Sequence, residues 1–127
     1  MPRDSMVRLK TFQVNEKTRL RDLLATNVDD LTRMADDLGA QIAAEEARAG
    51  IADPQHFAYP MTAKAARTRR ANLLESVKEL KVQVDAANIA LEEAEAELAK
   101  AEALERRDGR ASVAVEQRPQ RQSGMIG

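Results

Sequence analysis

The second half of the chain carries apolar side chains at alternating steps of four and three: Leu73, Val77, Leu80, Val84, Ala87, Leu91, Ala94, Leu98 and Ala101. This spacing is the a/d seam of a coiled coil. A stripe so narrow does not close a globular core. It is buried only against another long helix, from the same chain or from a partner.

The rest of the composition agrees with this. In 127 residues there are two Phe, one Tyr and no Trp, too few large side chains for an ordinary compact core. Charged residues make up 32% of the chain, and the apolar fraction leans on Ala, Leu and Val, as in long helices. The absence of cysteine excludes disulfides and thiolate metal sites, and a single His excludes a histidine cluster. The N-terminal stretch is charged throughout, so neither a signal peptide nor a membrane span is expected, and the expected location is the cytoplasm.

A first helix is predicted from near Ser5 to Ala49, with Gly50 as its C-terminal stop. Its seam reads Leu20, Leu24, Asn27, Leu31, Met34, Leu38, Gln41, with Val28, Ala35 and Ile42 along one edge. Residues 50–60 contain the steps Asp53-Pro54 and Tyr59-Pro60, and each proline disfavours helix in the residue before it. They form a connection, within which Asp53-Pro54 can open one short turn. A second helix follows from Met61 or Thr62 to about Arg107, and a disordered tail is expected over 108–127, where Arg, Gln, Ser, Pro and Gly dominate.

A connection this short cannot span helices of roughly 65–70 Å at about 1.5 Å per residue, so a parallel pairing within one chain is excluded. The fold expected is all-α: an antiparallel two-helix coiled-coil hairpin over residues 5–107. With the turn centred on the connection, Leu38 faces Leu73, Met34 faces Val77, Leu31 faces Leu80, Asn27 faces Val84 and Leu24 faces Ala87. Charge agrees as well. Residues 1–25 carry six Lys/Arg and three Asp/Glu, whereas residues 76–105 beside them carry three and eight. Glu45 and Glu46 at the negative end of the first helix are expected to pair with Lys64 and Arg67 at the positive start of the second. Gln41 is expected opposite Arg70. Phe57 and Tyr59 are expected to cap the open end of the seam, and His56 to be a solvated loop residue.

Away from the turn the expected seam weakens, because Lys17 and Lys10 face Ala94 and Ala101. The same end carries Met6, Leu9, Phe12 and Val14 among Arg3, Arg8, Lys10, Lys17 and Arg19. Apolar groups set among basic ones, and not covered by the hairpin, point either to a surface that another protein completes or to a frayed terminus. The cluster Lys64, Arg67, Arg69, Arg70 is read as a solvated helix face. A net charge of −1 and a pI near 5.9 argue against a general phosphate binder, so no nucleic acid partner is expected. The doublets Asp29-Asp30, Asp36-Asp37 and Glu92-Glu93 lie on exposed helix with no cleft to raise a pKa, so they carry no acid–base chemistry. With no phosphate loop, nucleophile motif or metal constellation, no enzyme activity and no cofactor is expected.

The segments VRLKTFQVNEKTR (Val7 to Arg19), GIADPQHFAYP (Gly50 to Pro60) and AKAARTRRANLLESV (Ala63 to Val77) resemble the flagellar export protein FliJ family, in its alphaproteobacterial branch. The likeness covers most of residues 5–107. It implies a helical hairpin similar to the central stalk of rotary ATPases, and a soluble, non-enzymatic part of the flagellar type III export apparatus. The implied partners are the hexameric export ATPase, the membrane export-gate protein and export chaperones, with attachment to the membrane through partners alone, at the cytoplasmic face of the flagellar base. On this resemblance Arg8, Leu9, Lys10 and Phe12 enter or line the ATPase ring. Tyr59, Arg67 and Arg69 are candidates for the gate. Two other readings stand beside it: a general coiled-coil adaptor or dimerisation module, and a nucleic-acid-binding helical arm.

Overall fold

The computed structural model describes the backbone of residues 2–126 and the side chains of residues 5–110. It contains two α-helices, α1 (Pro2–Ala49) and α2 (Met61–Ile126), packed against each other as a hairpin, and no strand among the described residues. The chain divides into two compact units, one of Leu20–Asn88 and one of Met1–Arg19 with Ile89–Gly127.

Within the unit of residues 20–88, α1 ends where a left-handed residue becomes necessary. Gly50 has φ of 68°, the one positive φ in the described chain, and its N–H donates to the Glu46 carbonyl at 2.9 Å. The connection is built from two successive turns. The Asp53 carboxylate accepts from the Gln55 N–H at 2.9 Å, the Asp53 carbonyl accepts from the His56 N–H, and the His56 carbonyl accepts from the Tyr59 N–H, the last two at 3.0 Å. The Asp53-Pro54 turn foreseen from the sequence is therefore present as a single hydrogen-bonded turn. Pro60 presents its carbonyl to the Lys64 N–H at 3.0 Å and so starts the helical ladder of α2.

The α2 seam buries as its spacing predicts. Leu73, Val77, Leu80, Val84 and Ala87 are all buried or half-buried in this unit, and Ala63 and Ala66 extend the row toward the turn. On α1 the buried row is turned by one position from the expected seam. Leu24, Leu31 and Leu38 face inward, and their companions are Val28, Ala35 and Ile42, the residues assigned to its edge. Ala35 is fully buried at 0%, whereas Met34 is 47% exposed, Leu20 is 48% exposed, and Asn27 and Gln41 are exposed. Ile42, Leu38 and Ala66 form one core cluster with Leu73 packed on it. Gly39 lies against Arg70, where a Cβ would come 3.4 Å from the guanidinium Nε.

The physical reason for this rotation lies in side-chain entropy: burying Ala35, or the β-branched Val28 and Ile42, restricts fewer rotamers than burying the long Met34.

Within the other unit the α2 row continues through Leu91, Ala94, Leu98, Ala101 and Leu104, all buried or half-buried, and the half-buried α1 residues Val7, Lys10 and Val14 keep the same steps of three and four. The α2 helix also runs past the Asp108-Gly109 step at which the second helix was expected to end. Gly109 takes no positive φ, and a single helical glycine costs only about 1 kcal/mol relative to Ala, so it weakens a helix without stopping it. From residue 111 onward the expected disordered tail lies outside the residues whose side chains are described.

Candidate partner-binding site

One unit joins the α1 residues up to Arg19 with the α2 residues from Ile89 onward. Its α1 segment leaves Met6, Leu9 and Phe12 exposed, at 46%, 50% and 60%. Leu9 and Phe12 are three residues apart and so neighbour each other on the helix surface. Arg8 is exposed beside them, and Lys10, half-buried, turns the opposite way. The Lys10 ammonium donates to the Glu97 carboxylate on α2 at 2.9 Å, and this bond holds the Glu97 carboxyl below its usual range. Lys10 therefore ties the two helices together, and the apolar pair Leu9 and Phe12 is the outward feature of the set. Lys17 is exposed and lines a shallow groove with Gln13, Ala90, Glu93, Ala94 and Glu97.

The remaining candidates, Tyr59, Arg67 and Arg69, lie in the unit of residues 20–88 and have unlike fates. Tyr59 is buried at 6% and donates its hydroxyl to Glu46 Oε2 at 2.6 Å. Arg67 donates from Nε to the Tyr59 hydroxyl at 2.8 Å and from Nη2 to Glu46 Oε2 at 2.9 Å. Its guanidinium also sits 5.9 Å from the centroid of the Tyr59 ring. These three groups close a ring of bonds joining the end of α1, the connection and the start of α2. The Tyr59 and Arg67 bonds to Glu46 keep its carboxyl below the ordinary value. Burial, and then the Glu46 carboxylate, push the Tyr59 hydroxyl up, and the bonds to Glu46 and Tyr59 raise Arg67 further.

The expected ion pair between Glu46 and Arg67 is thus present, whereas Glu45 accepts instead from the Thr62 hydroxyl at 2.7 Å. Tyr59 and Arg67 are spent on the hairpin itself. Arg69 is exposed, and beside Met34, Asn72, Leu73 and Ser76 it lines a shallow groove.

Phe57 departs from the expectation that it caps the seam. It is 96% exposed and stacks on His56, with ring centroids 4.7 Å apart and planes 23° from parallel. The two turns aim it outward: Tyr59, two residues on, takes the inner position, and the Ala58 N–H between them donates to His56 Nδ1 at 3.0 Å. Sequence alone weighed both aromatics equally, because nothing in the spacing says which of them points inward.

Among the described residues no group of three or more His, Cys, Asp or Glu is placed to hold a metal ion, and no helix is long and apolar enough to cross a membrane. No family model, curated protein or solved structure matches this chain.

Proposed function

We propose that this chain is a non-enzymatic coiled-coil component of the flagellar type III export apparatus, which binds the hexameric export ATPase and links it to the membrane export gate at the cytoplasmic face of the flagellar base. The reading begins from the resemblance of three segments to the flagellar export protein FliJ family. One observation supports it most: the first part of α1 presents Leu9 and Phe12 outward, at 50% and 60% exposure, beside Arg8. Exposed aromatic groups and arginine are enriched at protein interfaces, and Phe12 and Arg8 are of these types. In this reading Leu9 and Phe12 fill apolar pockets of the ATPase ring, while Arg8 meets acidic groups at their rim. Lys10 contributes by fixing α1 to α2 through Glu97. Arg69 serves the gate, with Tyr59 and Arg67 supporting that end from within. The implied export chaperones belong to the same reading.

The test is co-purification with the export ATPase, and ATP hydrolysis measured with and without this chain. Replacing Leu9→Glu together with Phe12→Ala is expected to abolish co-purification and any effect on hydrolysis while helicity is retained. Undiminished binding by that variant removes the reading, and failure of the parent protein to bind leaves the general coiled-coil adaptor in its place.

A further inference from the structure

The connection between the helices, within the unit of residues 20–88, holds the chain's one histidine, and its ring is used twice. His56 Nδ1 accepts from the Ala58 N–H at 3.0 Å, and the same imidazole stacks on Phe57 with centroids 4.7 Å apart. An accepting Nδ1 leaves the proton of the neutral ring on Nε2. The Ala58 bond thus fixes the imidazole, and the imidazole gives the phenyl a surface to lie on. Phe57 is 96% exposed, so water surrounds the rest of it. Histidine is the side chain whose charge changes between about pH 5 and 8. Once Nδ1 carries a proton it becomes a donor, and it then faces a second donor, the Ala58 N–H, across the same 3.0 Å. That contact is repulsive, and the ring must turn out of it.

We propose that His56 is a proton-operated latch on Phe57. In the neutral form the Ala58 bond holds the imidazole, and the stacked phenyl is presented to solvent in one orientation. In the imidazolium form the bond is lost, the imidazole swings away and the phenyl is free to turn. The charged groups of the elements that meet here are Glu45, Glu46 and Arg48 at the end of α1, Asp53 in the connection, and Lys64 and Arg67 at the start of α2. Glu46 and Arg67 bond to each other and to Tyr59, Glu45 to Thr62, and Asp53 to the Gln55 N–H. Among the described residues none of these groups bonds the imidazole, and His56 is exposed, so water supplies and removes its proton. The device is local. The bonds from the His56 N–H to the Asp53 carbonyl and from the Tyr59 N–H to the His56 carbonyl do not involve the imidazole, so the connection keeps its turns in both forms. Neither His56 nor Phe57 has a part in the export reading, so the latch stands or falls without it.

Nuclear magnetic resonance on the intact chain between about pH 5 and 8 reads the latch, because one histidine gives one set of imidazole signals. The Ala58 amide proton is expected to lose its hydrogen-bonded shift with the same midpoint as the His56 ring. Ring-to-ring Overhauser contacts between His56 and Phe57 are expected to vanish over the same range. His56→Asn keeps an acceptor for the N–H two residues on but takes up no proton, so it is expected to hold the Ala58 shift constant. His56→Ala removes the acceptor and is expected to give the acid-form shift at every pH. An Ala58 amide that stays put while the imidazole titrates overturns the latch. Ring contacts that survive protonation overturn it too, as does a His56→Asn chain whose Ala58 amide moves like the parent's.

Discussion

Ala35→Leu separates the buried row of α1 from the one its leucine spacing predicts, by the sign of its effect. In the expected seam Ala35 lies at the edge, where three added carbons would gain apolar cover at about 0.8 kcal/mol per buried methylene, roughly 2 kcal/mol in favour of folding. In the structure Ala35 is fully buried, at 0% exposure, in the row that packs against α2. The added carbons then have no volume to enter, and the helices must separate locally or take up strained rotamers. Such overpacking destabilises by about 1–3 kcal/mol. Met34→Ala provides the contrast. With nearly half of that side chain already in water, its removal is expected to cost about 1 kcal/mol, against 2–5 kcal/mol for a methionine inside a core. Urea unfolding followed by far-ultraviolet circular dichroism reads both. Ala35→Leu should lower the midpoint without changing the slope. A raised midpoint for Ala35→Leu, or a larger loss for Met34→Ala than for Ala35→Leu, would refute the rotated seam.

Gly50→Ala, which forces a side chain into the left-handed region at φ of 68°, should cost about 1–2 kcal/mol by the same unfolding assay, although no atom obstructs the new Cβ. Phe57→Ala should leave the unfolding midpoint within about 0.5 kcal/mol of the parent, because that ring is almost wholly in water. Glu46 has a folded-state pKa below its ordinary 4.5, so its contribution is present above that value and is lost as pH falls through the depressed one. The gap in thermal midpoint between the parent and Glu46→Gln should therefore be widest at neutral pH and close in acid. Tyr59 shifts the other way. Its contribution is present below pH 10.0 and is lost as pH rises through the raised value, so Tyr59→Phe should flatten the alkaline limb of the parent's stability curve.

Both helices, the stop at Gly50, the turn at Asp53-Pro54 and the buried row of α2 were legible in the sequence, because each depends on local chemistry. Helical period, a glycine free to take positive φ and a proline that restricts its neighbour act over a few residues and need no tertiary partner. The exposure of Leu9 and Phe12 was legible too, as apolar side chains beyond what one facing helix covers. Which face of α1 turns inward was not legible. Leu24, Leu31 and Leu38 are shared by two overlapping rows, one completed by Leu20 and Met34 and the other by Val28, Ala35 and Ile42. Hydrophobicity alone favours the larger side chains. Packing against α2 decides otherwise: Ala35 and Ile42 are buried in the structure while Met34 stays 47% exposed. The same kind of contact tells Tyr59 from Phe57: Glu46 and Arg67 lie within hydrogen-bond reach of the Tyr59 hydroxyl, and a phenyl ring offers them no partner.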